Sequence, residues 1–273
     1  MSLITIGLPV YNCEKYIKDC IDSILNQTYS EFKLIIVNDG SIDNSVLIVS
    51  QYSDPRIVFI NDGENKGLSF RLNQITELVD TKYLVRMDAD DIMHPKRLEI
   101  QLAILENNSE IDLIGSNAFT INGNSEVIGV RLNIADSIVE VESFIHPTVM
   151  GKSSWFKNNL YDNYLFRIED VELWYRTKEK SKFYCTLSPL IYYREIPGNY
   201  YKKYLVSTQT IRQLIFKYKL NIFWVFFVLK QFVMALIYFS FNLFSSEIIL
   251  IERRNNLKVN NKSISEIENE YNI

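Results

Sequence analysis

The chain contains little glycine, proline or cysteine: nine, six and three residues among 273. The low glycine and proline content excludes collagen-like and linker-rich classes of protein. Cys13, Cys20 and Cys185 are too few and too scattered for a disulfide framework or a structural zinc site, which fits a reducing compartment. The first residues lack the charged start and cleavage site of a signal peptide, so we expect the bulk of the chain in the cytoplasm.

Apolar residues make up 47% of the chain, which allows a sizeable core and excludes disorder over most of the length. The length predicts one large domain, or one domain with an appendage. The net charge of −4 is unevenly distributed, because residues 196–246 include six basic residues and no acidic ones. An acidic body with a basic, aromatic segment favours an anionic membrane surface, rather than nucleic acid, as a partner.

In the first third of the chain, short β-branched runs alternate with stretches of helical spacing. The runs at 3–10, 32–37, 56–60 and 82–87 are typical of buried strands. This alternation predicts an α/β fold with a Rossmann-like, mostly parallel central sheet and flanking helices. Ligands of such sheets bind beyond the carboxyl ends of the strands, and candidate site residues should lie there.

The sharpest local motif follows the fourth run, at residues 88–91 (Asp-Ala-Asp-Asp). Carboxylates this close repel one another unless a cation or strong donors lie among them. Mg²⁺ and Mn²⁺ prefer oxygen ligands, so Asp88 and Asp90 are candidate ligands of a metal bound to a diphosphate. The alternative is a solvated turn whose aspartates cap a helix ahead of Pro95.

The other strand ends carry weaker signals. Asn38 and Asp39 suit the hydrogen-bonding edge of a nucleobase, but they are also good turn and N-cap residues. Tyr11 follows the first run and would either stack on a base or pack in the fold. Lys66 opens a helix that could face phosphates, although it also fits an ordinary turn and cap.

Two further positions carry candidate acid–base groups. Glu169 and Asp170 begin a predicted amphipathic helix, where the macrodipole favours carboxylates and also keeps a general base ionised. His146 precedes Pro147, and a solitary histidine there is more often a hydrogen-bonded strand-end residue than a ligand.

Taken in order, these motifs resemble the family 2 glycosyltransferases, inverting enzymes with the GT-A fold. The resemblance covers roughly residues 3–195, and the motif at 88–91 is its most specific part. The matching stretches are 8–12, 21–29, 37–41, 65–69, 86–91, 146–150 and 169–174. Arg86, His146 and Trp174 lie within them and are further candidate site residues.

The resemblance implies a donor site. Pro9 and Tyr11 would flank the nucleobase. This chain has Asn38 where the family usually has aspartate, which leaves Asp39 as the acid that binds uracil or ribose. Lys66 would face the phosphates, and Asp88 would face the ribose or phosphate side.

The resemblance also implies the catalytic groups. Asp90, together with Asp88, would hold Mn²⁺ or Mg²⁺, and Asp170 would act as the base with Glu169 beside it. Many members carry a late histidine as a further metal contact. Here the sequence after Arg194 has none, so the third metal ligand is left to water or is missing.

We therefore expect an inverting hexosyl- or N-acetylhexosaminyltransferase. It would move a sugar from a nucleotide-sugar, a UDP-sugar by expectation, to a hydroxyl of a lipid-linked glycan in bacterial surface-polysaccharide synthesis. One alternative is a metal-dependent nucleotidyltransferase, which would need a glycine- and arginine-rich phosphate loop that residues 9–12 do not provide. Another is a catalytically silent scaffold of a membrane complex, which the acidic residues argue against.

We divide the chain into a GT-A catalytic domain (1–198), a basic, aromatic-rich helical segment (199–251) and a polar tail (252–273). We expect the tail to be mobile, with at most a short helix.

Residues 220–239 carry one charge, Lys230, and are long enough to span a bilayer. A central lysine would cost about 2.5–3.5 kcal/mol there. We favour amphipathic helices lying peripherally on the cytoplasmic face of the inner membrane. One alternative is that the segment spans the bilayer. Another is that it packs on the catalytic domain or on a second copy of the chain in a homo-oligomer.

Overall fold

The computed structural model describes residues 2–132, 137–138, 144–198, 200–219, 221–255 and 257–271. The strands are β1 Ile4–Val10, β2 Phe32–Asn38, β3 Ile57–Asn61, β4 Tyr83–Arg86, β5 Ile92–Met93, β6 Leu113–Ile121, β7 Val127–Arg131, β8 Ser137–Ile138, β9 Met150–Lys152, β10 Phe183–Arg194 and β11 Leu257–Lys262. The helices are α1 Ile17–Leu25, α2 Ser45–Ser50, α3 Leu68–Leu78, α4 Arg97–Asn107, α5 Ser153–Asn158, α6 Glu169–Thr177, α7 Tyr200–Gln209, α8 Ile211–Tyr218, α9 Ile222–Leu243, α10 Glu247–Glu252 and α11 Ile264–Tyr271, with short 3-10 helices at His146–Thr148 and Lys178–Lys180.

The strands form one sheet in the order β11-β7-β6-β9-β4-β1-β2-β3, with β10 beside β6. Strands β1, β2, β3 and β4 run parallel, whereas β9 lies antiparallel between β4 and β6. The predicted α/β fold with its central sheet and flanking helices is confirmed.

The register of the parallel strands brings their carboxyl ends together. Val10 pairs with Asn38, and Asn38 pairs with Asn61, so the loops after β1, β2 and β3 start side by side. Helix α3 packs closely under this edge, because a Cβ atom on Gly7 would lie 2.6 Å from Ile75 Cγ2. The site predicted at the strand ends therefore lies on one edge of a rigid sheet.

An aromatic core fixes helix α6. Trp174 is fully buried and stacks on Trp155 at 6.1 Å, with Phe144 and Phe183 edge-on at 5.3 and 5.9 Å. The candidate Trp174 thus lies in the core, where it anchors the helix that carries Glu169 in its first turn.

The C-terminal segment packs back on the sheet. Helix α7 packs on α9 through Tyr200 and Tyr204, whose rings lie 5.4 and 5.2 Å from that of Tyr238. Beyond α10, strand β11 pairs antiparallel with β7, and Ile267 of α11 is fully buried with Phe119 and neighbouring residues. The region read as a mobile tail with at most a short helix therefore contains a strand and a helix that extend the sheet and its core.

Helix α9 keeps an apolar outer surface. It has a mean hydropathy of 2.1 over its most apolar window, only 17% of which is buried. Within the residues that the structure describes, it is the one helix that length and composition would allow to cross a membrane. Its buried side chains, Trp224, Ala235 and Tyr238, face α7, α8 and the body of the protein.

The burial of Ile267 provides a test of this C-terminal packing. We expect Ile267→Ala to lower the free energy of unfolding by about 2–5 kcal/mol, because it leaves a cavity in a closed core. Ser265→Ala, at an exposed position of the same helix, should change it by less than about 0.5 kcal/mol. Equal stability of the two variants in denaturant titrations would show that α11 does not pack on the sheet.

Candidate active site

A cleft of about 540 Å³ opens at the carboxyl edge of the parallel strands. Its volume lies in the range typical of small-molecule sites. Many of the predicted site residues line it, and those residues are Pro9, Tyr11, Asp39, Lys66, Asp88 and Asp90. The Tyr11 ring is 50% exposed, so its face is open to a planar ligand.

Asp88, Asp90 and Asp91 form an acidic cluster after β4, and the first two of them line the cleft. Each offers an oxygen within 4.8 Å of the others. Burial, followed by the charge of Asp88, raises the pKa of Asp90 to about 6, and burial also raises the pKa of Asp91. Asp91 Oδ1 accepts the backbone N–H of Arg194 at 2.7 Å, while its buried Oδ2 has no hydrogen-bond partner among the residues that the structure describes. An oxygen cluster with incompletely compensated charge fits a hard divalent cation.

Arg86 links this cluster to the second acidic group. The arginine is buried, and its Nη1 lies 2.8 Å from Asp88 Oδ1. Its charge also lowers the pKa of both Glu169 and Asp170, which partly offsets the effect of their burial. The charge of Arg86 therefore acts on the carboxylates at 88 and at 169–170, although these are far apart in sequence.

The first turn of α6 carries the candidate base. Burial, followed by the charge of Asp170, raises the pKa of Glu169 to about 7, and burial also raises the pKa of Asp170. Of the two, Glu169 is the one that lines the cleft within the described part of the chain, and its buried Oε2 has no hydrogen-bond partner. Asp170 Oδ1 accepts the N–H of Val171 at 2.8 Å, and Oδ2 lies 3.9 Å from His146 Nδ1.

His146 is buried beside this pair. Its Nε2 forms a 2.8 Å hydrogen bond with the Tyr161 hydroxyl. Burial, followed by the charge of Arg86, lowers the pKa of His146 well below its ordinary value, so the ring is neutral at neutral pH. A neutral imidazole within 4.8 Å of Glu169 and Asp170 oxygens fits a residue that orients the acidic pair, and the three also form a second group able to hold a metal.

Asp39 shapes the rim of the cleft. Its Oδ1 accepts the backbone N–H of Lys66 at 2.7 Å and Nε of the fully buried Arg71 at 2.9 Å, and the N–H of Gly67 also donates to it. Much of the hydrogen-bonding capacity of this carboxylate is therefore used to hold the start of α3.

Asn38 and Lys66 are also held by the protein. The Asn38 amide donates to Asn61 Oδ1 at 2.8 Å and accepts the Ser41 N–H at 3.1 Å, which places it behind the rim. Lys66 Nζ lies 3.0 Å from Asp62 Oδ2 and 2.9 Å from Glu64 Oε2.

Sequence reasoning missed four cationic residues in the cleft wall: Arg71, Arg167, Arg194 and Lys203. Arg71 lies at helical spacing from Gly67, so its contact with the rim loop follows from the α3 pattern once the loop is placed. Lys203 belongs to α7, in the segment read only as membrane-associating, and the sequence carries no signal that this helix returns to the cleft.

Comparison with known proteins agrees with this geometry. Residues 5–173 match the family model described as Glycosyl transferase family 2. Over 185 residues the chain is 35% identical to the uncharacterized glycosyltransferase MJ1057 of Methanocaldococcus jannaschii, a match covering 64% of each chain. It is 33% identical over 183 residues to the O-antigen biosynthesis glycosyltransferase WbnJ of Escherichia coli, covering 64% of this chain and 72% of WbnJ.

Solved structures share the fold. Residues 1–349 of Staphylococcus aureus TarS in complex with UDP superpose with a TM-score of 0.62 at 19% identity, covering 77% of this chain and 65% of that one. The Pyrobaculum calidifontis mannosyltransferase PcManGT with GDP-Man and Mn²⁺ gives a TM-score of 0.58 at 14% identity, covering 80% and 64%. The GT-A fold expected from the sequence is confirmed.

The hydrogen bonds of Asp39 predict a structural role that exists without ligand. We expect Asp39→Asn to lower the free energy of unfolding of the ligand-free protein by about 3 kcal/mol, because the buried Arg71 loses an ionic partner. The matched control is Asp80→Asn at an exposed pair with Lys33, where a change below about 1 kcal/mol is expected. If Asp39→Asn weakens only nucleotide binding and leaves stability unchanged, the carboxylate serves the ligand alone.

Proposed function

From the premise that this chain is a glycosyltransferase belonging to glycosyl transferase family 2, we propose that it transfers a sugar from a UDP-sugar to an acceptor hydroxyl with inversion at the anomeric carbon. The observation that carries the proposal is the convergence of Asp88, Asp90 and Glu169 on one cleft whose rim presents Tyr11. The TarS complexes with UDP and UDP-GlcNAc, on a similar fold, support a nucleotide-sugar donor.

Chemically, inversion needs one displacement. The acceptor oxygen forms a bond to the anomeric carbon as the bond from that carbon to the diphosphate oxygen breaks, and the hydroxyl proton passes to a carboxylate. We propose Asp170 as that base, oriented by His146 and kept partly ionised by Arg86. Glu169 is the second candidate, because it lines the cleft directly.

Asp88 and Asp90, with Asp91 beside them, would hold Mn²⁺ or Mg²⁺. Their mutual spacing within 4.8 Å and the incompletely compensated charge of the cluster fit such an ion. When bound, the cation would offset the charge that develops on the departing diphosphate.

For the acceptor, we propose a lipid-linked glycan in surface-polysaccharide synthesis, reached from the cytoplasmic face of the inner membrane. The name of WbnJ, an O-antigen biosynthesis enzyme, supports this setting. Seven of the exposed apolar side chains of α9 recur at helical spacing, and they are Ile222, Val225, Phe226, Leu229, Phe232, Val233 and Leu236. A face of this kind suits an interfacial helix, and a second copy of the chain is the alternative occupant.

Family membership removes the ground for a nucleotidyltransferase. The sequence analysis set the acidic groups at 88, 90 and 170 against a silent scaffold, and, besides burial, the charge of Asp88 raises the pKa of both Asp90 and Asp170. We therefore keep glycosyl transfer as the proposed activity.

Asp170→Asn tests the base. We expect kcat to fall about 10²–10⁴-fold, because the acceptor proton loses its receiver. Binding of UDP with Mn²⁺, measured by calorimetry, should persist. Turnover is followed as UDP released from UDP-sugars with Mn²⁺ and a detergent-solubilised lipid extract of the source organism as acceptor.

Glu169→Gln is the matched control for this experiment. Because the Asp170 base must be deprotonated, and because burial raises its pKa and its ionisation is coupled to that of Glu169, activity of the unmodified enzyme should fall at acidic pH. Glu169→Gln should keep substantial turnover and move this acidic limb to lower pH. If Glu169→Gln abolishes transfer while Asp170→Asn retains it, Glu169 is the base and our assignment is wrong.

Charging the outer face of α9 tests membrane association. We expect the double variant Phe226→Asp, Leu229→Asp to bind phosphatidylglycerol-containing vesicles at least about tenfold more weakly, because two apolar side chains lose their burial in the interface. Leu47→Asp, at an exposed position on α2, is the control and should bind normally. Vesicle flotation measures both, and a carbonate wash separates the topologies, since a spanning segment resists extraction.

If vesicle binding is unchanged and the double variant instead converts a dimer to a monomer in sedimentation, α9 faces a second copy of the chain. The peripheral-membrane proposal would then be wrong.

A further inference from the structure

Five cations line the cleft, and three of them are already engaged within the protein. Lys66 pairs with Asp62 and Glu64, and Arg71 pairs with Asp39 and Asp62. Arg194 donates to the backbone oxygens of Asp90 and Asn122 at 2.7 and 2.8 Å. Their charges are largely satisfied before any ligand binds.

Arg167 and Lys203 are different. Both line the cleft, and neither side chain forms a hydrogen bond or ion pair with any residue that the structure describes. Arg167 has a φ of 65°, a left-handed conformation unusual for a residue with a side chain. Non-glycine residues in such conformations cluster at ligand-binding sites, because surrounding structure must hold them there.

The backbone that carries Lys203 is fixed from several sides. The buried carboxylate of Glu247 accepts the N–H groups of Gly198 at 2.8 Å and Tyr200 at 3.2 Å, at the start of α7. Arg254 lies 4.9 Å over the Tyr200 ring, and the Lys203 ammonium lies 4.0 Å from the same ring. Helix α7 therefore presents Lys203 to the cleft from a rigid position.

Among the described residues, no carboxylate lies in ion-pair contact with Arg167 or Lys203. Two cations face a space that also contains Asp88 and Asp90. Removal from water, followed by the charge of nearby Arg167, lowers the pKa of Lys203, whereas the charge of Asp90 raises it. Two like charges held at one site, with no carboxylate in direct contact, are stabilised by a ligand of opposite sign. A divalent cation bound to the aspartates would add positive charge to the cleft and would further favour binding of an anion.

We propose that Arg167 and Lys203 together bind the diphosphate of the donor. The inference rests on the proposed function, because it takes the anion to be a nucleoside diphosphate. It assigns a donor-binding residue to α7, which lies beyond the stretch 5–173 that matches the family model. The C-terminal segment would then complete the donor site in addition to any role at the membrane.

The test uses the full-length chain and calorimetric titration with UDP, GDP and uridine in the presence of Mn²⁺. We expect Lys203→Ala and Arg167→Ala each to weaken nucleoside diphosphate binding about tenfold or more, since each removes a charge-assisted contact. Lys203→Arg should retain most of the affinity. Uridine, which has no phosphate, should bind each variant as it binds the unmodified protein.

Lys202→Ala is the matched control, because Lys202 is the adjacent lysine on the same helix, is not among the residues that line the cleft, and has its ammonium over the Tyr201 ring. It should bind UDP or GDP normally, and all variants should keep the melting temperature of the unmodified protein.

Two results would overturn the proposal, and they are distinguishable. If the unmodified protein binds UDP or GDP and Lys203→Ala and Arg167→Ala bind it equally well, the diphosphate lies elsewhere and the proposed function is untouched. If the unmodified protein binds neither nucleotide with Mn²⁺, the donor itself is wrong, and the proposed function fails together with this inference.

Discussion

A buried arginine at the end of β4 is the contact on which the rest of the site depends. Arg86 is 4% exposed and pairs with Asp88 on the cleft floor, and its charge also favours ionisation of Glu169 and Asp170. Burying several carboxylates together is costly unless a cation compensates them. Arg86 supplies part of that compensation from inside the fold, and the remaining negative charge is available to a metal ion and its ligand.

Much of the site's position could be predicted from the sequence, because it follows from local pattern. The apolar runs gave β1, β2, β3 and β4 nearly to the residue, and parallel strands necessarily bring their carboxyl ends to one edge. The acidic residues Asp88 and Asp90, which follow β4, lie at that edge and line the cleft. By contrast, the partners of Asp39 lie 27 and 32 residues away, and no local pattern indicates them.

The packing of the C-terminal segment could not be predicted from its composition. Its polar, Asn-rich end suggests mobility, yet the Thr120 hydroxyl donates to Asn255 across 135 residues at 2.6 Å, and both side chains are buried. Pairing of β11 with β7 depends on the same long-range closure. Contacts between residues so far apart in sequence cannot be predicted from local spacing. For the same reason, the family motif that contains Trp174 did not indicate that this residue packs in the core and fixes α6.

Helix α7 contacts both the cleft and helix α9. One side presents Lys203 to the cleft, while Tyr200 and Tyr204 pack on Tyr238 of α9, whose outer face is apolar and exposed. A change at the α9 surface that displaces α7 would therefore alter the cationic wall of the cleft. By linkage, a ligand that fixes Lys203 would favour the same arrangement of α7 on α9. The surface proposed to meet the membrane and the cleft proposed to hold the donor are thus joined by one helix rather than by a flexible linker.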